Sequence, residues 1–238
     1  MMNHTPINII WLGQGGFLLE CNNFRLLIDP YISDCIQKLE GFRRLHPFPL
    51  PLADLKVDLL LTTHDHLDHF DPEGIPLIRA MYPECRYAGP ERSFNHFLQL
   101  GIPEDMVIGI KPDKEYSFGS FKVTPIPALH SDPTACGYCI EGKNRKIVLT
   151  GDTRYDETLL VPIIKNADLL LICINGKLNN MDSNEALRYV QKSTPKTALP
   201  MHIGLFAENT ADPQPFIEKC LAINVKSFAM TPGKEFAI

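Results

Sequence analysis

The stretch from Thr63 to Asp71 reads THDHLDHFD, and it sets His64, Asp65, His66, Asp68, His69 and Asp71 within one short segment. A solvated polar loop would account for the aspartates. It would not account for three histidines at spacings of two and three. Imidazole and carboxylate together suit Zn²⁺, Mn²⁺ or iron. In an extended segment, residues i and i+2 point the same way, so His64 and His66 can reach one ion. Asp68 and His69 come where the chain must turn, and they can face a second ion.

Three more residues share the position of this cluster. His130, Asp152 and His202 each follow the end of an expected strand. Strand ends from one sheet can meet at one edge, which gathers distant residues on rigid supports. His130 would complete the first site and His202 the second. Asp152 can bridge the two ions with its carboxylate, and Gly151 beside it lets the backbone approach. A lone histidine or a Gly-Asp turn is more often structural. The clustered ligands are what turn these three into expected metal ligands.

The elements that must position these groups follow from hydrophobic patterning. Ile7–Leu12, Gly16–Cys21 and Phe24–Ile28 read as strands separated by turn residues. Val57–Thr62 reads as a buried strand feeding the histidine cluster. Asp71-Pro72 has the form of an N-cap followed by proline, opening a helix toward Met81. Glu91–Leu100 is an expected helix and Phe121–Pro127 a strand. Gly137–Glu141 and Lys146–Thr150 form an expected hairpin. Glu157–Lys165, Ser183–Lys192 and Pro213–Leu221 are expected helices. Asp168–Ile174, Thr197–Met201 and Val225–Met230 are expected strands. Hairpins lead each half and helices follow. That order implies an α/β protein, an αββα sandwich of two mixed sheets flanked by helices, in one domain over 1–238.

Composition narrows the partners. The 238 residues are 45% hydrophobic with net charge −5, which gives no basic character to attract nucleic acid. The apolar run Leu169–Ile174 is too short to cross a bilayer. The opening MMNHTPINII has no charged region followed by an apolar run, so no export signal and a cytoplasmic location are expected. Seven scattered cysteines then read as reduced thiols. Cys136-Gly-Tyr-Cys139 has the C-x-x-C form, but it lies in a strand without a second pair. A small molecule is the expected partner, with neither nucleic acid nor membrane. A homo-oligomer is compatible with the sequence.

The residues that carry chemistry resemble the metallo-β-lactamase superfamily. The resemblance runs in order through Trp11-Leu12-Gly13, Ile28-Asp29-Pro30, Thr63–His69, Ala128-Leu129-His130, Thr150–Thr153 and Pro200-Met201-His202. It implies that His64, His66 and His130 hold one divalent ion, that Asp68, His69 and His202 hold another, and that Asp152 bridges. Asp65 then stands behind the ligands. A finer likeness, through Thr150–Tyr155, Ile174–Lys177 and His202–Pro213, is to the L-ascorbate-6-phosphate lactonase branch. It implies hydrolysis of a lactone or a phosphorylated sugar lactone. Bound metal would acidify water from a pKa of about 15.7 toward roughly 7, and Asp68 would act as catalytic proton shuttle. Lys177, with Asn175 or Arg154, would bind a substrate phosphate. The same fold also serves phosphodiesterases, other ester and thioester hydrolases, and mononuclear iron dioxygenases.

Overall fold

A computed structural model describes residues 6–238, with the backbone alone for Glu157, Leu160 and Val161. The first five residues, part of the stretch read for an export signal, lie outside the described residues. Along the chain the strands are β1 (Asn8–Gly13), β2 (Gly16–Cys21), β3 (Phe24–Ile28), β4 (Leu59–Leu61), β5 (Arg86–Gly89) and β6 (Val107–Gly109). There follow β7 (Tyr116–Phe118), β8 (Phe121–Pro127), β9 (Cys136–Gly142), β10 (Arg145–Leu149), β11 (Leu169–Cys173), β12 (Thr197–Met201) and β13 (Glu235–Ala237). They form two mixed sheets, ordered β13-β1-β2-β3-β4-β5-β6 and β12-β11-β10-β9-β8-β7.

Both faces of the first sheet are buried, and residues alternate between them as strand geometry requires. In β4, Leu59 and Leu61 join the core between the sheets, while Leu60 joins the outer layer. That outer layer packs against α2 (Ile75–Met81) and α3 (Glu91–Gln99) through Ile75, Ile78 and Phe97. On the far side lie α5 (Ser183–Ser193) and α6 (Gln214–Ala222). They contribute Tyr189, Val190 and Phe216 to the larger core. The architecture is the expected αββα sandwich. The helices α1 (Cys35–Glu40) and α4 (Glu157–Ile164) complete the described set. No helix among the described residues is long and apolar enough to cross a membrane.

Local chemistry matches the sequence at several points. Asp182 caps α5 by accepting from the backbone of Asn184 and Glu185, and Glu185 returns a bond to the Asp182 N–H. The β9–β10 hairpin turns on Lys143 and Asn144, both at positive φ, which suits a tight two-residue turn.

Two expectations are corrected. The helix toward Met81 does not begin at Asp71-Pro72. The regular helix begins at Ile75, after a turn that Asp71 still caps, its Oδ1 accepting from the Glu73 and Gly74 N–H and its carbonyl from the Ile75 N–H; its carboxylate also accepts from Ile32 N–H, Ser33 N–H and the Ser33 hydroxyl. Those bonds tie Asp71 to the β3 loop, and the chain makes a separate turn before the helix starts. Val225–Met230 is not a strand. Only Lys226 bridges to Thr197, and the last strand, β13, pairs instead with the free edge of β1. The Cys136–Cys139 pair carries no shared site. Its odd separation puts the side chains on opposite faces of β9, with Cys136 buried and Cys139 half-buried.

Candidate metal centre

The expected ligands lie in segments that follow strand ends, and the sandwich brings these ends to one edge. After β4 the chain runs into His64–His69, whose polar backbone is tied down by Phe70 N–H and His69 N–H donating to the His66 carbonyl. His130 follows β8, Asp152 follows β10 and His202 follows β12. The parallel register of β10, β11 and β12 aligns the exits of the last two. Gly151, at φ +62°, turns the chain so that Asp152 points inward; a Cβ there would sit 3.0 Å from the Cys136 carbonyl.

The seven side chains converge. His64, His66 and His130 form one group, with Nε2 of His64 and Nε2 of His130 lying 3.1 and 3.0 Å from Nδ1 of His66. Asp68, His69 and His202 form a second. Asp152 lies between them: Oδ2 is 2.9 Å from His202 Nε2 and 4.0 Å from His130 Nε2, and Oδ1 is 3.3 Å from His69 Nε2. Asn180 holds Asp152 by donating Nδ2 to Oδ2 at 2.6 Å.

A supporting layer stands behind these groups. Asp29, at the end of β3, accepts from the Thr63 N–H at 2.7 Å and the Thr63 hydroxyl at 2.6 Å. The same carboxylate lies 2.7 Å from His69 Nδ1. Asp65 turns away from the convergence point and pairs with His96 Nδ1 at 2.8 Å, while its backbone N–H donates to the buried Asp132. Neither Gln14, Asn180 nor Asp132 stands out in the sequence. Asp29 obeys the strand-end rule that marks the ligands, and that signal could have found it.

The electrostatics are those of a site that concentrates charge out of water. Burial pushes His64 well below the usual imidazole range, and it also lowers His130. Burial would lower His69 and His202 too, but the adjacent carboxylates outweigh it. Asp152, Asp68 and Asp29 hold His69 well above its ordinary value, and Asp152 with Asp68 raises His202 to about 9. Against the cost of burial, the same imidazoles hold Asp68 and Asp152 below the carboxylate range.

The profile of the beta-lactamase superfamily domain matches residues 24–203. The chain belongs to the metallo-β-lactamase superfamily. Within this superfamily it is 32% identical over 213 residues to a UPF0173 protein of Pyrococcus furiosus, covering 88% of this chain and 89% of that one. It is 29% identical over 240 residues to a UPF0173 metal-dependent hydrolase of Hyperthermus butylicus, covering 94% and 96%. The fold is shared with Igni18, a metallo hydrolase of Ignicoccus hospitalis. The TM-score is 0.79 at 22% identity, with 98% of this chain and 99% of that chain covered.

The donor set of this metallo-β-lactamase relative fits metal on its own evidence. His69 Nε2, His130 Nδ1 and Asp152 Oδ1 are buried without a hydrogen-bond partner among the described residues. Leaving such atoms unpaired costs about 1–3 kcal/mol each, and a cation would satisfy those that face the convergence point. A cleft of about 360 Å³ opens onto His66, Asp68, His130 and Asp152. Ile36, Phe42, Leu67 and Leu178 give it apolar walls, while Ser131, Asn179 and Asn209 offer hydrogen bonds. Glu40 and Asp65 are its further charges, and no lysine or arginine lines it among the described residues.

The three residues expected to bind phosphate lie off this lining. Lys177 donates Nζ to the Glu208 carbonyl at 2.8 Å. Arg154 is exposed, with its backbone N–H bonded to the Leu129 carbonyl. Asn175 is buried and donates to Asn209 at 2.8 Å, so it meets the cleft only through that neighbour.

Proposed function

We propose that the chain is a metal-dependent hydrolase of a small, uncharged lactone or ester. His64, His66 and His130 would hold one divalent ion, Asp68, His69 and His202 a second, and Asp152 both. Zinc, manganese and iron all suit this donor set. The observation that carries the reading is the convergence of two three-residue groups on one buried carboxylate, Asp152. Bound ions would supply Lewis acidity and acidify water to near-neutral pKa.

The chain's own residues do the rest. Asp68 is the more accessible of the two carboxylates, 14% exposed against 6% for Asp152. It also lines the cleft, so its carboxylate would take a proton from water and return it to the leaving oxygen. Asn180 fixes the Asp152 carboxylate, so that group need not reorganise during the reaction. The walls favour a substrate with an apolar arm against Phe42 and Leu67 and a polar face toward Ser131 and Asn209. Away from the ions, the lining among the described residues offers a phosphate no lysine or arginine, and Glu40 would repel it, which favours a neutral arm.

A hydrolysis screen tests this. Neutral lactones and aryl esters, their phosphorylated analogues and phosphodiesters are each supplied with Zn²⁺, Mn²⁺ or Fe²⁺. Neutral lactones or esters are expected to turn over only with metal. A higher kcat/KM for the phosphorylated analogues would overturn the substrate reading. Turnover of phosphodiesters alone would overturn the bond type. Activity equal with and without chelator would overturn the metal reading.

A further inference from the structure

Gln14 occupies a position whose backbone would suit glycine. It lies between Gly13 and Gly15 in the β1–β2 turn, at φ +49°, and its side chain is completely buried. A non-glycine residue in the left-handed region carries a conformational cost, and such outliers cluster where a side chain has work at a site. The side chain reaches the second group of the centre. Its Nε2 donates to Asp68 Oδ2 at 3.1 Å and lies 3.1 and 3.2 Å from Nδ1 and Nε2 of His202. Its backbone carbonyl accepts from the His202 N–H at 3.0 Å and from the Trp11 indole at 3.1 Å. Its Oε1 is buried without a hydrogen-bond partner among the described residues. A residue kept only to fill space would not retain an unpaired amide oxygen, because methionine or leucine would fill the same volume without that cost.

The neighbouring glycine supports the same arrangement. A Cβ on Gly15 would fall 2.6 Å from Cε1 of His69, so only glycine lets the turn come this near a ligand ring. One turn therefore approaches all three members of the second group: Gly15 borders His69, and Gln14 touches Asp68 and His202.

We infer that Gln14 is the positioning residue of the second metal subsite, holding Asp68 and His202 at the separation that one ion requires. This rests on the two-ion reading above. The amide presets two side chains whose carboxylate and imidazole would otherwise choose among several rotamers. Among the described residues, the Gln14 amide makes hydrogen-bond contacts with Asp68 and His202 but not with His64, His66 or His130, so the two subsites respond differently when it is removed.

The test is calorimetric titration of the metal-free full chain with Zn²⁺ alone, and again with Mn²⁺ alone. The wild-type protein is expected to show two binding events; a single event would overturn the two-ion reading itself and this assignment with it. In Gln14→Leu the affinity must change at one site only. The event lost on Asp68→Ala should weaken by about 10- to 100-fold, and the other should stay within about twofold. Unchanged affinities for both ions would overturn the assignment. So would an equal loss at both, which would make Gln14 a support for the whole loop. Should Gln14→Leu fail to fold by circular dichroism, Gln14→Met carries the same test, since it also lacks the amide and its flexible chain fits the same space.

Discussion

Nδ1 of His69 lies 2.7 Å from Oδ2 of Asp29, forty residues earlier in the chain. The bond fixes the ring so that Nε2 faces Asp152 and Asp68. Because Thr63 donates twice to the same carboxylate, Asp29 is itself held rigid. The orientation of His69 therefore depends on the end of β3 as well as on its own loop.

Asp29→Asn preserves shape but removes the charge that orients His69. We expect metal affinity to fall by about 10- to 100-fold, the usual cost of losing a partner behind a ligand. Competition with a chromophoric chelator measures it. An unchanged affinity would show that packing alone positions the ring.

Asp68→Asn removes a ligand charge and the proposed proton carrier together. We expect kcat to fall by about 100-fold or more, with KM changed far less, because both roles act mainly in the transition state. Steady-state kinetics with metal content measured in parallel decide it. A variant that retains two ions and near wild-type kcat would remove Asp68 from the proton pathway.

Phe42→Ala tests the apolar wall. For a lactone bearing an aliphatic arm, KM should rise by about 10-fold with kcat nearly constant, consistent with about 1.4 kcal/mol from partial burial of an aromatic ring. A short-chain lactone should be little affected. Equal effects on both substrates would mean that Phe42 supports the cleft and does not contact the arm.

Away from the centre, Asp168 ties the start of β11 to β10. It accepts from the Lys146 N–H at 2.8 Å and from Lys196 Nζ at 2.7 Å. Burial would raise its pKa, but these bonds and the charges of Lys196 and Arg145 prevail and lower it. A carboxylate with a lowered folded-state pKa contributes stability above its unfolded pKa and loses it as pH falls through the folded value. Asp168→Ala should therefore cost about 1–2 kcal/mol at neutral pH, chiefly from the backbone bond, since Lys196 and Arg145 are exposed and screened. Denaturant melts should show the gap between variant and wild type narrowing in acid. A gap independent of pH would exclude the charge as its source.

The residues that converge were legible in the sequence because strand ends announce themselves through hydrophobic runs that stop at a polar residue. Val57–Thr62 into His64 and Thr197–Met201 into His202 are such cases. The strands β5, β6 and β7 were not legible, since three or four residues leave no period to detect. Gln14 was hidden for another reason. Its role depends on residues far along the chain, and locally Gly-Gln-Gly reads only as a turn. The absence of lysine and arginine from the cleft lining among the described residues was equally out of reach, because Lys177 sits next to the lining residue Leu178 in sequence yet is bonded to Glu208.

The contact between Gln14 and His202 spans 188 residues and joins the β1–β2 turn of one sheet to the end of β12 in the other. Such a contact closes only after the two sheets have docked, because long-range loop closure is entropically costly and is rewarded late. The centre is therefore among the last features to assemble as the chain folds. Ions bound there should act on the escape from the native state. In stopped-flow chevrons Zn²⁺ should slow unfolding by roughly the whole of its stabilising effect and leave the refolding rate nearly unchanged, as expected for interactions absent from the transition state. A refolding arm that accelerates with Zn²⁺ would place the centre in the folding nucleus instead.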